Sequence, residues 1–253
     1  PIFDAAAAGS TEALTALLRR GANVHALDLG GRAPLHVAIE ADHIAACSAL
    51  LSGGANPFLR HGDTQVSVLD VAIREGHLDV VVAIIQSCPA GLLGSADSNG
   101  WTALHNAARA GEAPAVEALL EAGAAPDPRD SSGWTPLFAA CAVCCSDAVA
   151  ALLQHGANAN ALDVEGRSPL YLVAQLGLAE PAELLLAAGA DVGRRFGKSE
   201  CSPLDLAVLE GHVEVVEAMI AHGADVDAAD RNGRTAAHRA CFFDQHTALA
   251  VLL

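Results

Sequence analysis

The sequence predicts an all-α solenoid, a row of antiparallel helix pairs stacked one on the next. Three observations predict it. One short phrase recurs eight times: aligned on "TPLH", its second position falls at Pro1, Pro34, Val68, Ala103, Pro136, Pro169, Pro203 and Ala236, in steps of 33 to 35 residues. Each recurrence carries helix start and stop signals at constant offsets. Finally, 52% of the 253 residues are apolar but only 4% are aromatic, so the core is aliphatic and rich in small side chains.

The elements of one unit follow in order. A first helix opens at the proline position, where the missing N–H costs nothing, and the Thr or Ser before it is a good N-cap. The next position is apolar, as in Leu35, Leu69, Leu104, Leu137, Leu170 and Leu204, and three residues further on stand Ala38, Ala72, Ala107, Ala140, Val173 and Ala207. Small side chains let this helix approach its neighbours closely. Gly9, Gly76, Gly111, Gly177 and Gly211 then suit a left-handed helix end. A second helix carries pairs such as Leu50-Leu51, Leu119-Leu120 and Leu152-Leu153 on one face. "GAN" or "GAD" ends it, and a polar link such as "ALDVEG" leads to the next unit. Neither helix pair can bury its apolar face alone, so neighbouring units must stack.

The phrases "APLHVA", "TALHNAA", "TPLFAA", "SPLYLVA" and "SPLDLA" resemble the ankyrin repeat over essentially the whole chain. The resemblance implies a single repeat domain over 1–253, with units starting near 1, 32, 66, 101, 134, 167, 201 and 234. It also implies β-hairpin-like connecting loops projecting to one side. Such proteins generally bind a partner protein or peptide through those tips and through the first helices, which line a concave face. The pattern departs where Gln65 replaces the loop glycine and where Cys88-Pro89 replaces a helix-ending "GA", so a longer loop is expected there. "GRRFGKSEC" before the seventh unit also lacks the usual Asp and Gly. The chain stops in an apolar "ALAVLL" and starts without a preceding loop, so both ends are expected to be truncated.

Composition narrows the function. The net charge is -16, from 30 acidic and 14 basic residues, which repels phosphate backbones and anionic headgroups. Nucleic acid is thereby disfavoured as a partner, as is insertion into a membrane, for no apolar stretch is long enough to span one. Seven cysteines scattered through apolar segments argue for reduced thiols in a cytoplasmic compartment, with the nucleus open. A monomer is expected.

No residues assemble a reaction centre. His36, His105 and His238 share one phrase position with Phe138, Tyr171, Asp70 and Asp205. A site accepting all four types serves packing and local hydrogen bonds. Cys141, Cys144 and Cys145 in "CAVCC" have C-x-x-C spacing, but no second pair or His pair accompanies them. A reactive thiol at Cys144 or Cys145 stays open. No phosphate loop, G-x-S-x-G or H-E-x-x-H occurs. The chain therefore reads as no enzyme, with neither metal nor cofactor.

Both tryptophans, Trp101 and Trp134, occupy one position of the phrase, two residues before the proline site, where other units have Arg32, Arg167 and Arg234. In the resemblance this position is variable and faces a partner, and the indoles are expected on one face. Trp and Arg are the residues most enriched at binding hot spots. The candidate partner-binding set is Trp101, Trp134, Arg109, Arg167, Asn99, Asn106, Ser132, Val143 and Gln175. The alternative is that each indole packs over a neighbouring loop. Arg194, Arg195 and Lys198 form a basic cluster on a projecting loop, either meeting an acidic peptide or simply solvated. Phe242-Phe243 is expected to pack on whatever follows. The reading is a non-catalytic interaction scaffold; the alternative is a regulatory or substrate-recruiting segment of a larger enzyme, channel or ubiquitin-ligase adaptor.

Overall fold

A computed structural model describes residues 1–60, 66–87, 92–197 and 200–253. The chain divides into two compact units, Pro1–Pro128 and Arg129–Leu253. In the first, α1 (Ile2–Ala7) pairs with α2 (Thr11–Arg19), α3 (Pro34–Glu40) with α4 (Ile44–Ser52), α5 (Val68–Arg74) with α6 (Leu78–Ser87), and α7 (Ala103–Ala110) with α8 (Ala113–Glu121). In the second, α9 (Pro136–Ala142) pairs with α10 (Ser146–Gln154), α11 (Pro169–Leu176) with α12 (Ala179–Ala187), α13 (Pro203–Glu210) with α14 (Val213–Ala221), and α15 (Ala236–Phe242) with α16 (His246–Leu252). Within each unit, first helices stack on first helices and second on second.

Helix starts fall where the phrase places them. Ser67 and Ser202 cap α5 and α13, each hydroxyl accepting from the N–H of Asp70 or Asp205. The apolar offsets become the core: Leu35, Leu69, Leu104, Leu137 and Leu170 are essentially inaccessible, as are Leu50, Leu119 and Leu152 on the second helices. Each such leucine contributes about 1.5–3 kcal/mol on burial.

The helix-ending glycines have two reasons to be glycine. Gly177 sits at φ 72°, and a Cβ there would lie 2.5 Å from Nδ1 of His212. That imidazole lies over the glycine and bonds the Gln175 carbonyl through Nε2 at 3.2 Å. His43 sits over Gly9 in the same way and bonds the Ala7 carbonyl at 3.0 Å. Asp42, Cys144 and Asp244 replace such glycines and keep the left-handed conformation, at φ 58°, 57° and 61°.

The connecting loops depart from expectation. No β-strand occurs among the described residues, so they are not β-hairpin loops; the stack is all-α. The cause is an aspartate. Asp28, Asp97, Asp130, Asp163 and Asp230 each donate their N–H to the carbonyl four residues on, which would be half of a strand pair. The return N–H is intercepted: those of Arg32, Trp101, Trp134, Arg167 and Arg234 donate to the aspartate Oδ1 instead of its carbonyl. "RFGKSEC" has no such aspartate. There Phe196 and Cys201 exchange both backbone bonds, giving one isolated bridge. Gln65, Cys88 and Pro89, on which the expected irregularities of the third unit fall, lie outside the described residues.

Candidate partner-binding surface

Because the loop aspartate fixes the backbone of the residue four positions on, that residue's side chain leaves from the same point in each unit. Where it is arginine, it turns back onto the aspartate. Nε of Arg32, Arg167 and Arg234 lies 3.0, 2.7 and 3.0 Å from Oδ2 of Asp28, Asp163 and Asp230. Where it is tryptophan, the indole has no such partner to reach and lies along its own first helix. Trp101 sits 5.6 Å from the His105 ring, tilted by 33°. The guanidinium of exposed Arg109 lies 5.1 Å from the Trp101 centroid, a cation–π contact. Trp134 stacks on Phe138 at 5.6 Å and 21°. Both indoles are half-buried. They fall in different compact units, so each is described with the residues of its own.

The surroundings of the two tryptophans differ by one substitution. His105 is fully buried, and its Nδ1 accepts from the Thr102 N–H at 3.2 Å. That nitrogen is therefore unprotonated, and the Thr102 hydroxyl donates to it as well, at 3.0 Å. Phe138 stands in the equivalent place and accepts nothing. Thr135 Oγ1 is accordingly buried with no hydrogen-bond partner among the described residues.

Around Trp101, Asn99 is exposed and its N–H donates to Asp97. Asn106 is half-buried and donates Nδ2 to Asp70 Oδ1 at 2.9 Å, so part of its hydrogen-bonding capacity is already used. In the second unit Ser132, Val143 and Gln175 are exposed. The Ser132 carbonyl accepts from Val164 N–H at 3.0 Å, tying successive loops together. Arg167 is half-buried, held by Asp163 and by Glu165 at 3.3 Å. The structure thus joins Trp101 directly to Arg109, whereas Arg167 is committed to carboxylates of its own loop.

The basic cluster reads differently in three dimensions. Lys198 lies outside the described residues, and Arg195 points inward. Its Nη1 donates to the Glu200 carbonyl at 2.7 Å and to Asp205 Oδ2 at 3.0 Å, and its Nη2 to the Ala228 carbonyl at 3.0 Å. Arg60 repeats this in the first unit, donating to Asp70 Oδ2 at 2.7 Å and to the Ser95 carbonyl at 3.4 Å. Asp70 and Asp205 replace the phrase histidine, and in both cases the arginine lies ten residues earlier. That shared offset was a legible signal. Arg239 extends the second network, reaching Asp205 at 3.2 Å and Asp230 at 2.9 Å.

Among the described residues, no group of three or more His, Cys, Asp or Glu is placed to hold a metal, and no helix is long and apolar enough to cross a membrane. All six described cysteines are free thiols. Cys141 is buried, with its pKa pushed up by desolvation, while Cys144 is exposed. Burial raises Cys47 to about 12.

The family pattern described as "Ankyrin repeats (3 copies)" matches residues 2–92, 69–163 and 127–196, and "Ankyrin repeats (many copies)" matches 204–253. The chain belongs to the ankyrin-repeat family. Ankyrin-repeat proteins are a non-catalytic scaffold family generally used for protein–protein interaction. Among solved structures, the crystal structure of an ankyrin repeat domain from Acinetobacter baumannii AYE is 31% identical with a TM-score of 0.69, covering 76% of this chain and 98% of that one. Two curated ankyrin-type matches are partial. The human transient receptor potential cation channel subfamily A member 1 is 29% identical over 123 residues, 48% of this chain and 11% of the channel. The Caenorhabditis elegans ankyrin repeat and LEM domain-containing protein 1 homolog is 48% identical over 48 residues, 19% of this chain and 7% of that protein. The chain thus spans only about a tenth or less of these curated relatives.

Proposed function

We propose that this ankyrin-repeat chain is a monomeric interaction scaffold, in a cytoplasmic or nuclear reducing compartment, that holds a partner protein or peptide on its first helices and loop tips. The observation that supports this reading best is the Trp101–Arg109 pair: a half-buried indole with an exposed guanidinium on its face, an aromatic centre with a cationic rim. Asn99 and Asn106 flank it. In the second unit the contributing residues are Trp134, Ser132, Val143, Arg167 and Gln175. Rigid helices present these side chains at little entropic cost on docking.

The test is affinity capture from a lysate of the source organism with the wild-type chain, Trp101→Ala, Trp134→Ala and the double variant, each verified as helical by circular dichroism. The double variant should weaken a captured partner by about 2–4 kcal/mol. Undiminished capture combined with a large fall in melting temperature would mean that the indoles serve packing alone. A second reading, a regulatory or recruiting segment of a larger enzyme, channel or ubiquitin-ligase adaptor, draws on the match to a human cation channel of which the chain covers 11%. The full-length coding sequence decides between them.

A further inference from the structure

The residues just before the helix-ending position on the first helices face solvent, and the two units fill them with opposite chemistry. In the second unit they are Val143, Leu176, Leu209 and the pair Phe242-Phe243. Val143 is 43% exposed, Leu176 46%, Phe242 82% and Phe243 49%; Leu209 is half-buried. Because α9, α11, α13 and α15 stack in succession, these side chains form one apolar strip across the unit. In the first unit the same offsets hold Glu40, Arg74, Glu75 and Arg109, with no large apolar residue. The fold therefore does not require the strip. Val143 and Leu176 stay exposed although a further helix pair packs beyond each. Contiguous exposed apolar surface of this kind marks an interaction site.

Charge and spacing point to the occupant. Glu210 and Asp244 lie beside the strip, both exposed. The residues closing the four helices, 142–144, 175–177, 209–211 and 242–244, include no lysine or arginine. Successive anchors are set by helix stacking at about 8–10 Å. An α-helix repeats one face every seven residues, about 10.5 Å along its axis. An extended strand covers that distance in about three residues but then presents the opposite face.

We propose that the strip docks an amphipathic helix of a partner protein, apolar at every seventh residue and rich in lysine or arginine beside that seam. This rests on the scaffold reading above and specifies the ligand chemistry of the second unit. The probe is a fluorescein-labelled helical peptide of about 25 residues, with Leu at every seventh position, Lys beside it and Ala elsewhere, titrated at an ionic strength of about 0.15 M. The chain should bind it. Replacing every Lys with Glu in the peptide should weaken binding tenfold or more, and so should Leu176→Asp or Phe242→Ser in protein verified as folded. Arg74→Ala, in the first unit, should change nothing. Equal binding of the Lys and Glu peptides, or undiminished affinity of Leu176→Asp, would overturn the proposal. So would a concentration-dependent dimer abolished by Leu176→Asp in sedimentation, which would assign the strip to a second copy. Should the peptide fail while Trp101→Ala/Trp134→Ala still loses a captured partner, the strip is refuted and the scaffold reading stands; failure of both refutes both.

Discussion

Removing Arg195 should unseat the loop ahead of α13, and the cost can be worked from its contacts. The guanidinium makes three hydrogen bonds, to the Glu200 and Ala228 carbonyls and to Asp205 Oδ2. Asp205 is almost inaccessible. Breaking a buried ion pair by deleting one partner costs about 3–5 kcal/mol, because a charge is left uncompensated. Here the carboxylate keeps the Ser202 N–H and hydroxyl, both at 2.9 Å, and Arg239 at 3.2 Å. A loss of about 2–3 kcal/mol is therefore expected for Arg195→Ala. With a urea slope of about 1–3 kcal/mol/M, the midpoint should fall by roughly 1–2 M. The two tryptophans lie in different units, so in a Trp101→Phe background the fluorescence of Trp134 reports on the second unit. Adding Asp205→His should recover much of the loss. A neutral imidazole there can accept from the Ser202 N–H, as His105 does from Thr102, and needs no arginine beside it. A midpoint within about 0.3 M of wild type for Arg195→Ala, or no recovery in the double variant, would refute the reasoning.

Three further outcomes are expected. Gly177→Ala should cost about 2 kcal/mol in urea melts, from a left-handed alanine and from collision with the His212 ring; His212→Ala should relieve the collision but not the backbone strain, so complete rescue would contradict the geometry. Asp28 and Asp230 are held below the usual carboxylate range, chiefly by the backbone N–H of Arg32 and Arg234 respectively. Folding therefore releases protons from these groups near pH 4: their contribution is full above the unfolded value of about 3.9 and is lost as pH falls through the lower folded value. Asp230→Asn should accordingly flatten the acid limb of a stability–pH curve, and an unchanged limb would remove Asp230 from that account. Under native conditions at mildly alkaline pH, iodoacetamide should modify exposed Cys144 and Cys241 while sparing Cys47 and Cys141, whose thiols burial holds protonated; mass spectrometry of the digested protein reads this directly.

The sequence carried the helices because their causes are local. Ser67 and Ser202 as caps, Pro34 and Pro136 at helix starts, and Gly177 at a helix end act within a few residues of themselves. The apolar spacing of Leu104 and Ala107, or of Leu119 and Leu120, states which face is buried. Trp101 and Trp134 were marked by position alone, and their differing surroundings follow from His105 against Phe138, also visible in the chain. The expected β-hairpins failed on a single atom: Oδ1 of the loop aspartate takes the N–H that would have closed the strand pair, and no residue pattern announces which of two oxygens an N–H will choose.

What the sequence determined by itself was therefore the repeat, its eight helix pairs and the family. What only tertiary structure decided was where long side chains end. Arg195 looked like a solvated loop charge and is a buried clasp, and Arg167 looked like an open binding group and is spent on Asp163. An arginine reaches carboxylates and carbonyls four to more than thirty residues away, so its partner is set by how units stack and not by its neighbours in the chain. Exposure has the same origin. Val143, Leu176 and Phe242 read as ordinary apolar residues until the stacking of α9, α11, α13 and α15 leaves them facing water together.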